Sequence, residues 1–238
     1  MRTIVLSDVH GEPELIRRVL DHSAYRPGDD RLIFAGDAIE VGRDSAGCLD
    51  LLAEIGAECL VGNHEYAAFV GWPLEADDVE PSVADRVAQV LESGDWSLTA
   101  EADDVLITHA GVSQRYADEF ENAGRRDVAR FAAALNEEFA GAVTLGMMAT
   151  EGVVDEFGPL WYRPDDGPRP LVGVVQVVGH TPPELIGGVG EAQRWSAQGF
   201  YLVDPNVRGW RGRGFGEPAP IRYAVIEDGA VRVVQGSP

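Results

Sequence analysis

Four of the five histidines in this 238-residue chain, His10, His64, His109 and His180, follow short apolar runs, and Asp8, Asp37 and Asn63 stand among them. Thr3-Ile4-Val5-Leu6 leads into Ser7-Asp8-Val9-His10-Gly11, and Leu32-Ile33-Phe34-Ala35 into Gly36-Asp37. Glu58-Cys59-Leu60-Val61 leads into Gly62-Asn63-His64-Glu65, and Val105-Leu106-Ile107-Thr108 into His109-Ala110-Gly111. Val174-Val175-Gln176-Val177-Val178 leads into Gly179-His180-Thr181-Pro182. Carboxylate and amide oxygens with neutral imidazole nitrogens suit a borderline divalent metal such as Mn, Fe, Zn or Co. No cysteine belongs to the set, which argues against a thiolate zinc site. A set of Asp, Asn and His has room for two ions if one carboxylate bridges them. Taken singly, a Gly-Asp pair after a strand is turn chemistry. Five separate run ends that each deliver a ligand-type side chain are not explained that way. His22 stands apart, in the polar tail of a helical segment, and reads as solvated.

The elements that must position these residues follow from the same runs. Apolarity that is continuous over four or five residues, rather than alternating, indicates strands covered on both faces, as in an α/β layered sheet. Open α/β sheets bind ligands at the carboxyl ends of their strands, so the loops after the runs can meet in one crevice. Helical spacing of apolar residues appears over 14–22, 83–91 and 127–139, and Asp44-Ser45 can cap a further helix that ends at Gly56. Near the end, 221–226 and 230–234 flank Glu227-Asp228-Gly229, which predicts a C-terminal hairpin over about 221–235. The Gly- and Pro-rich stretches 157–170 and 206–220 read as long surface loops. With no repeat and no low-complexity linker, the expectation is a single domain over 1–238.

Composition limits the function classes. Asp and Glu number 40 against 19 basic residues, a formal charge of −21, so nucleic-acid and membrane-surface partners are excluded on electrostatic grounds. Every basic residue is Arg, which removes P-loop, Schiff-base and Ser–Lys chemistry. The cysteines, Cys48 and Cys59, are too few for a disulfide framework and read as small buried hydrophobes in a reducing compartment. No apolar run approaches the roughly 18 residues of a membrane span, and the first residues lack a signal-peptide pattern. The expected protein is soluble and cytoplasmic.

The five blocks Asp8-Val9-His10-Gly11, Gly36-Asp37 through Ser45, Gly62-Asn63-His64-Glu65, His109-Ala110-Gly111 and Gly179-His180-Thr181-Pro182 together resemble the calcineurin-like metallophosphoesterase family in order and rough spacing. Within it, Asn-His-Glu and Gly-His-Thr-Pro are similar to the small prokaryotic and phage-type serine/threonine phosphoprotein phosphatases. Pro159-Leu160-Trp161-Tyr162-Arg163 is similar to a Trp-x-Arg stretch that they carry. The resemblance implies a four-layer αββα sandwich of two mixed sheets, with a helical region at about 113–157 beside the cleft. It implies that Asp8, His10 and Asp37 hold a first divalent ion. Asp37 would bridge to a second held by Asn63, His109 and His180, with Mn the metal expected to support activity in vitro. Two ions about 3.5–4 Å apart can clamp a phosphoryl group and generate a bridging hydroxide that attacks phosphorus directly. His64 would protonate the leaving alkoxide, oriented by Glu40.

Two departures bear on the substrate. Glu40-Val41-Gly42 stands where these phosphatases read Asp-Arg-Gly, and Val61 stands where an Arg often precedes Asn-His-Glu. Other arginines must then bind phosphate: first Arg163, then Arg43, then the cluster Arg208, Arg211 and Arg213. For that cluster a solvated loop that relieves the negative charge is an equal reading. The expected activity is hydrolysis of phosphomonoesters, on a phosphorylated protein or a small phosphoester. The alternatives are a symmetrical dinucleoside tetraphosphatase, which Glu65 disfavours, a phosphodiesterase, and a metal-binding scaffold without catalysis.

Overall fold

The structure is a computed structural model that describes residues 1–72, 74, 79–120, 127–145, 155–165, 167–209 and 218–237. Its strands form two mixed sheets. The first has the order β10 (Ala230–Gly236), β9 (Ile221–Glu227), β1 (Thr3–Leu6), β2 (Arg31–Phe34), β3 (Glu58–Leu60), β4 (Trp96–Ser97). The second runs β5 (Thr99–Ala102), β6 (Val105–Thr108), β7 (Val175–Val178), β8 (Phe200–Leu202). In the first sheet β1 to β4 are parallel neighbours, and β9 joins β1 antiparallel. In the second, β6, β7 and β8 are parallel.

Side-chain alternation explains why the runs are apolar throughout. Val5, Ile33 and Leu60 of the first sheet meet Val105, Ile107 and Val177 of the second in one buried cluster between the sheets. Their neighbours Ile4, Leu6, Leu32 and Phe34 face outward, where they pack with Leu15, Ile16 and Val19 of α1 (Pro13–Ser23) and Leu49 and Leu52 of α2 (Ser45–Ile55). Leu106 faces the opposite side, in a cluster with Phe131 and Leu135 of α6 (Val128–Leu145). The strands of the apolar runs thus have one face on the other sheet and one on a mostly helical outer layer, which is the four-layer arrangement.

Local signals set the element ends. Asp44 caps α2 by accepting a hydrogen bond from Gly47 N at 2.8 Å, and Gly56 closes it with φ 66°. Asp228 (φ 50°) and Gly229 (φ 75°) form the tight turn of the β9–β10 hairpin. The chain passes from the first sheet to the second at Leu98. There the Asn136 side chain from α6 accepts from Leu98 N (3.0 Å) and Thr99 N (2.8 Å). That crossing splits β4 from β5, a boundary with no signature in the sequence.

Several elements depart from the sequence reading. α3 (Asn63–Phe69), α4 (Pro81–Glu92), α5 (Gln114–Glu119) and α7 (Val189–Ser196) complete the helices, and of these only α4 has the apolar spacing that announces it. The stretch 157–170 is not a surface loop. Leu160 and Tyr162 are fully buried, and the Tyr162 hydroxyl donates to Pro168 O at 2.6 Å. Tyr162 packs with Val178, Phe200 and Leu202 beneath the second sheet, beside Ala192 and Trp195 of the helix Val189–Ser196. Cys48 and Cys59 are both buried, and burial pushes both thiols up. Among the described residues, no helix is long and apolar enough to cross a membrane.

Candidate metal centre

The parallel register of β1 and β2, Thr3 with Arg31 through Leu6 with Phe34, brings both strands to the same edge. Their loops stay joined beyond it. Asp8 N donates to Gly36 O (2.9 Å), His10 N to Asp37 O (2.9 Å) and Gly11 N to Ala38 O (2.8 Å). The second sheet is tied in the same way, with Gly179 N donating to His109 O at 2.7 Å. Asp8, His10, Asp37, Glu40, Val41 and His180 all have positive φ, between 42° and 67°. Such backbone conformations cost free energy in non-glycine residues and cluster where a site dictates geometry. Two glycines make the close approach possible: a Cβ at Gly62 would collide with Asp37 Oδ1, and one at Gly179 with Asp8 Oδ2.

Glu65 is the strut of this assembly. It is fully buried, its Oε2 accepts from Asp37 N and Gly62 N (both 2.9 Å), and its Oε1 accepts from Ala38 N (2.7 Å) and Ile39 N (3.3 Å). One carboxylate on α3 therefore fixes the loop that carries Asp37. The sequence reading used Glu65 only as a marker of subfamily, because a carboxylate that serves backbone N–H groups has no spacing signature.

Asp8, His10, Asp37, Asn63, His109 and His180 converge, all buried. Asp37 Oδ2 lies 3.4 Å from His109 Nε2, 3.7 Å from His10 Nε2 and 3.8 Å from His64 Nε2. Two groups of donor atoms, each within 4.8 Å of one another, share this carboxylate: His10, Asp37 and His64, and Asp37, His109 and His180. Asp8 accepts from His180 N at 3.0 Å and borders the same cavity, of about 120 Å³.

The electrostatics fit a cation. Burial depresses His109 to about 3, and burial with the neighbouring His64 holds His10 well below its ordinary value, so both rings are neutral. Each commits Nδ1 to a backbone carbonyl, His10 to Ile39 O (3.1 Å) and His109 to Ala35 O (2.9 Å), which leaves Nε2 a bare lone pair. His109 Nε2 then faces Asn63 Oδ1 at 2.8 Å as well as Asp37 Oδ2, three electron-rich atoms turned toward one point. Burial also raises Asp8 and Asp37 well above the usual carboxylate range, Asp8 further through Asp204 and Asp37 further through Asp8. Divalent cations would resolve both conflicts, and the donor set suits them.

His64 is held at both ring nitrogens. Nδ1 pairs with Glu40 Oε2, and Arg208 Nη1 sits 3.1 Å from Nε2. Burial, and then the Arg208 charge, bring His64 down to about 3. His64 lies near enough to His10 and Asp37 to share an ion, but unlike His10 and His109 it rests Nδ1 on a carboxylate rather than a backbone carbonyl.

The arginines sort differently from expectation. Arg163 and Arg208 border the cavity, and Arg163 Nη1 donates to His180 O (2.8 Å) and Thr181 Oγ1 (3.2 Å). Arg43 is exposed and does not border it. The turn closed by Gly42 N on His10 O (2.8 Å), followed by Asp44 N on Gly11 O (3.0 Å), leads into the α2 cap and leaves Arg43 outside. Arg211 and Arg213 lie outside the described residues. No described residue of 113–157 borders the cavity either; Trp161 and Leu74 form its apolar wall, while α6 packs against the sheets. The sequence reading also missed Asp204, buried in the cavity wall and raised to about 6 by burial. Phe200-Tyr201-Leu202-Val203 before Asp204 has the same form as the other five runs and could have disclosed it.

Residues 1–214 match the family model described as calcineurin-like phosphoesterase. The serine/threonine-protein phosphatase 1 of Salmonella typhimurium is 34% identical over 99 residues, 41% of this chain and 42% of that protein. The symmetrical bis(5'-nucleosyl)-tetraphosphatase of Chromohalobacter salexigens is 28% identical over 123 residues, 47% of this chain and 45% of that protein. The matches thus span less than half the length of these curated relatives. Among solved structures, the cold-active protein-tyrosine phosphatase of a psychrophilic Shewanella species superposes with a TM-score of 0.62 at 16% identity, covering 98% of this chain and 80% of that one. The crystal structure of a putative diadenosine tetraphosphatase reaches 0.56 at 18% identity, covering 99% of this chain and 93% of that one.

Proposed function

The chain belongs to the calcineurin-like phosphoesterase family, and on that premise we propose that it is a two-metal phosphomonoesterase whose substrate class is phosphoserine and phosphothreonine in proteins. The observation that carries this reading is the single Asp37 oxygen facing His10, His64 and His109 at 3.4–3.8 Å, a carboxylate shared by two donor groups. Asp8, His10 and Asp37 would hold one ion, and Asp37, Asn63, His109 and His180 the other. Two such ions, when bound, supply Lewis acidity and bring the pKa of water toward neutrality.

The protein's own groups supply binding and proton handling. Arg163, fixed on His180 O and Thr181 Oγ1, presents a guanidinium to a phosphate that enters the cavity. Glu40 holds His64 through Nδ1 and so turns Nε2 toward the cavity, where it can protonate the leaving oxygen. An anionic substrate beside the ring opposes the depression caused by Arg208 and favours the imidazolium.

The Salmonella relative supports the protein-phosphatase reading. The Chromohalobacter relative supports a second one, symmetrical cleavage of dinucleoside tetraphosphates. Metal-reconstituted protein presented with phosphoserine peptide, diadenosine tetraphosphate and bis(p-nitrophenyl) phosphate separates them. Inorganic phosphate released fastest from the peptide is the expected result. Cleavage of the tetraphosphate into two diphosphates without peptide turnover would establish the second reading instead.

A further inference from the structure

Arg208 does not leave β8 on a slack loop. Asp204 Oδ1 accepts from Asn206 N at 2.6 Å, Asn206 has φ 62°, and Gly209 N closes the turn on Asn206 O at 3.0 Å. The Asp204 carbonyl is held by the buried Arg222, which pairs through its other amino group with Glu184 Oε1 at 3.0 Å. This turn places the Arg208 guanidinium in the cavity, 3.1 Å from His64 Nε2. Arg163 enters from the loops of the second sheet, against His180 and Thr181. Among the described residues Arg163 and Arg208 are the cations that border the cavity.

We infer that Arg208 is a second phosphate-binding residue, which grips a terminal phosphate from the His64 side and so selects phosphomonoesters over diesters. For a guanidinium, an anionic phosphate oxygen is a stronger partner than an imidazole ring nitrogen. An arriving phosphate therefore takes Arg208 from His64 and leaves Nε2 free to face the leaving oxygen. A terminal phosphate offers three oxygens outside the ester link and a diester only two, so a second guanidinium discriminates between them. The inference rests on the phosphomonoesterase reading.

The test compares metal-loaded wild type, Arg208→Ala and Arg208→Lys. Metal content by elemental analysis and thermal melting confirm that the variants are loaded and folded. Calorimetric titration with inorganic phosphate should show Kd about tenfold weaker or more in Arg208→Ala and an intermediate value in Arg208→Lys. KM for a phosphomonoester should rise by a similar factor, while kcat/KM for bis(p-nitrophenyl) phosphate changes less than about threefold. An unchanged phosphate Kd with a lower kcat would overturn the inference, since Arg208 would then act only through His64. Equal losses on monoester and diester would overturn the claimed selectivity. A wild-type protein that turns over no monoester would sink the phosphomonoesterase reading, while the phosphate titration would still decide whether Arg208 binds phosphate.

Discussion

His64 lies between an anion and a cation, with Glu40 on Nδ1 and Arg208 on Nε2. That position separates it from His10 and His109, whose Nδ1 atoms rest on backbone carbonyls and whose Nε2 atoms point at Asp37. The difference predicts a dependence on the leaving group. A leaving alkoxide needs a proton and p-nitrophenolate does not, so His64→Ala should lower kcat on a phosphoserine peptide by roughly 10²–10⁴ and on p-nitrophenyl phosphate far less. Glu40→Gln keeps the contact but removes its charge, and its loss should follow the same order at smaller size. Equal losses on the two substrates, measured as kcat, would remove His64 from the proton-transfer step. The convergence of Asp8, His10, Asp37, Asn63, His109 and His180 was legible because each follows an apolar run. Arg43 was misread because only the backbone turn at Gly42, not residue type, decides which side of the loop faces the cavity. Arg208 was ambiguous for the same reason, since an arginine in a glycine-rich stretch has no face until the turn that carries it is known.

The site is an intersection of loops, so its precision depends on the elements that lock those loops together. Glu65 on α3 does this for residues 37–39, and four backbone N–H groups depend on it. In Glu65→Gln one oxygen becomes an amide NH₂, and whichever orientation is taken, two buried N–H groups lose their acceptor. At about 1–3 kcal/mol for each unsatisfied group, the folded state should lose about 2–6 kcal/mol by urea denaturation. Metal affinity should fall in parallel as Asp37 loosens. A loss under about 1 kcal/mol would show that the strut is dispensable. Gly62→Ala should act on the ligand itself: the added Cβ displaces Asp37 Oδ1, so cation binding by calorimetry should weaken more than tenfold. Unaltered binding would mean that the loop yields. At this scale the strands of the five runs, the helices α1, α2, α4 and α6 and the closing hairpin were legible, since buried strands and amphipathic helices carry their periodicity in sequence. The short helix α3 was not, because it begins within the ligand motif at Asn63 and is buried along five of its seven residues, which leaves no polar face to reveal a period.

Across the whole molecule, the charge of −21 and the buried Asp8, Asp37 and Asp204 bias the fold toward bound cations. The pH dependence follows from the shifts. Asp204, raised to about 6, holds a proton in the folded chain after the unfolded chain has lost it. Its contribution to stability is full below its ordinary value of about 4 and is lost as pH rises through 6. Asp8 and Asp37, raised in the same direction, add to this loss. His64 and His109, depressed to about 3, have the opposite sign: their contribution is full above about pH 6.5 and is lost as pH falls toward 3. Chelator-treated protein should therefore melt highest at mildly acidic pH and lower on either side. Mn²⁺ requires ionised carboxylates, whereas the imidazoles are already neutral, so binding should expel protons from the aspartates and tighten as pH rises. The rise in melting temperature on adding Mn²⁺ should then be small near pH 5 and grow as pH rises toward 8 and the carboxylates ionise. Melting curves from pH 5 to 8, with and without chelator, and calorimetry in two buffers of different ionisation enthalpy measure both effects. Equal Mn²⁺ stabilisation at both ends of that range, with no proton release, would mean that the buried aspartates are not the ligands.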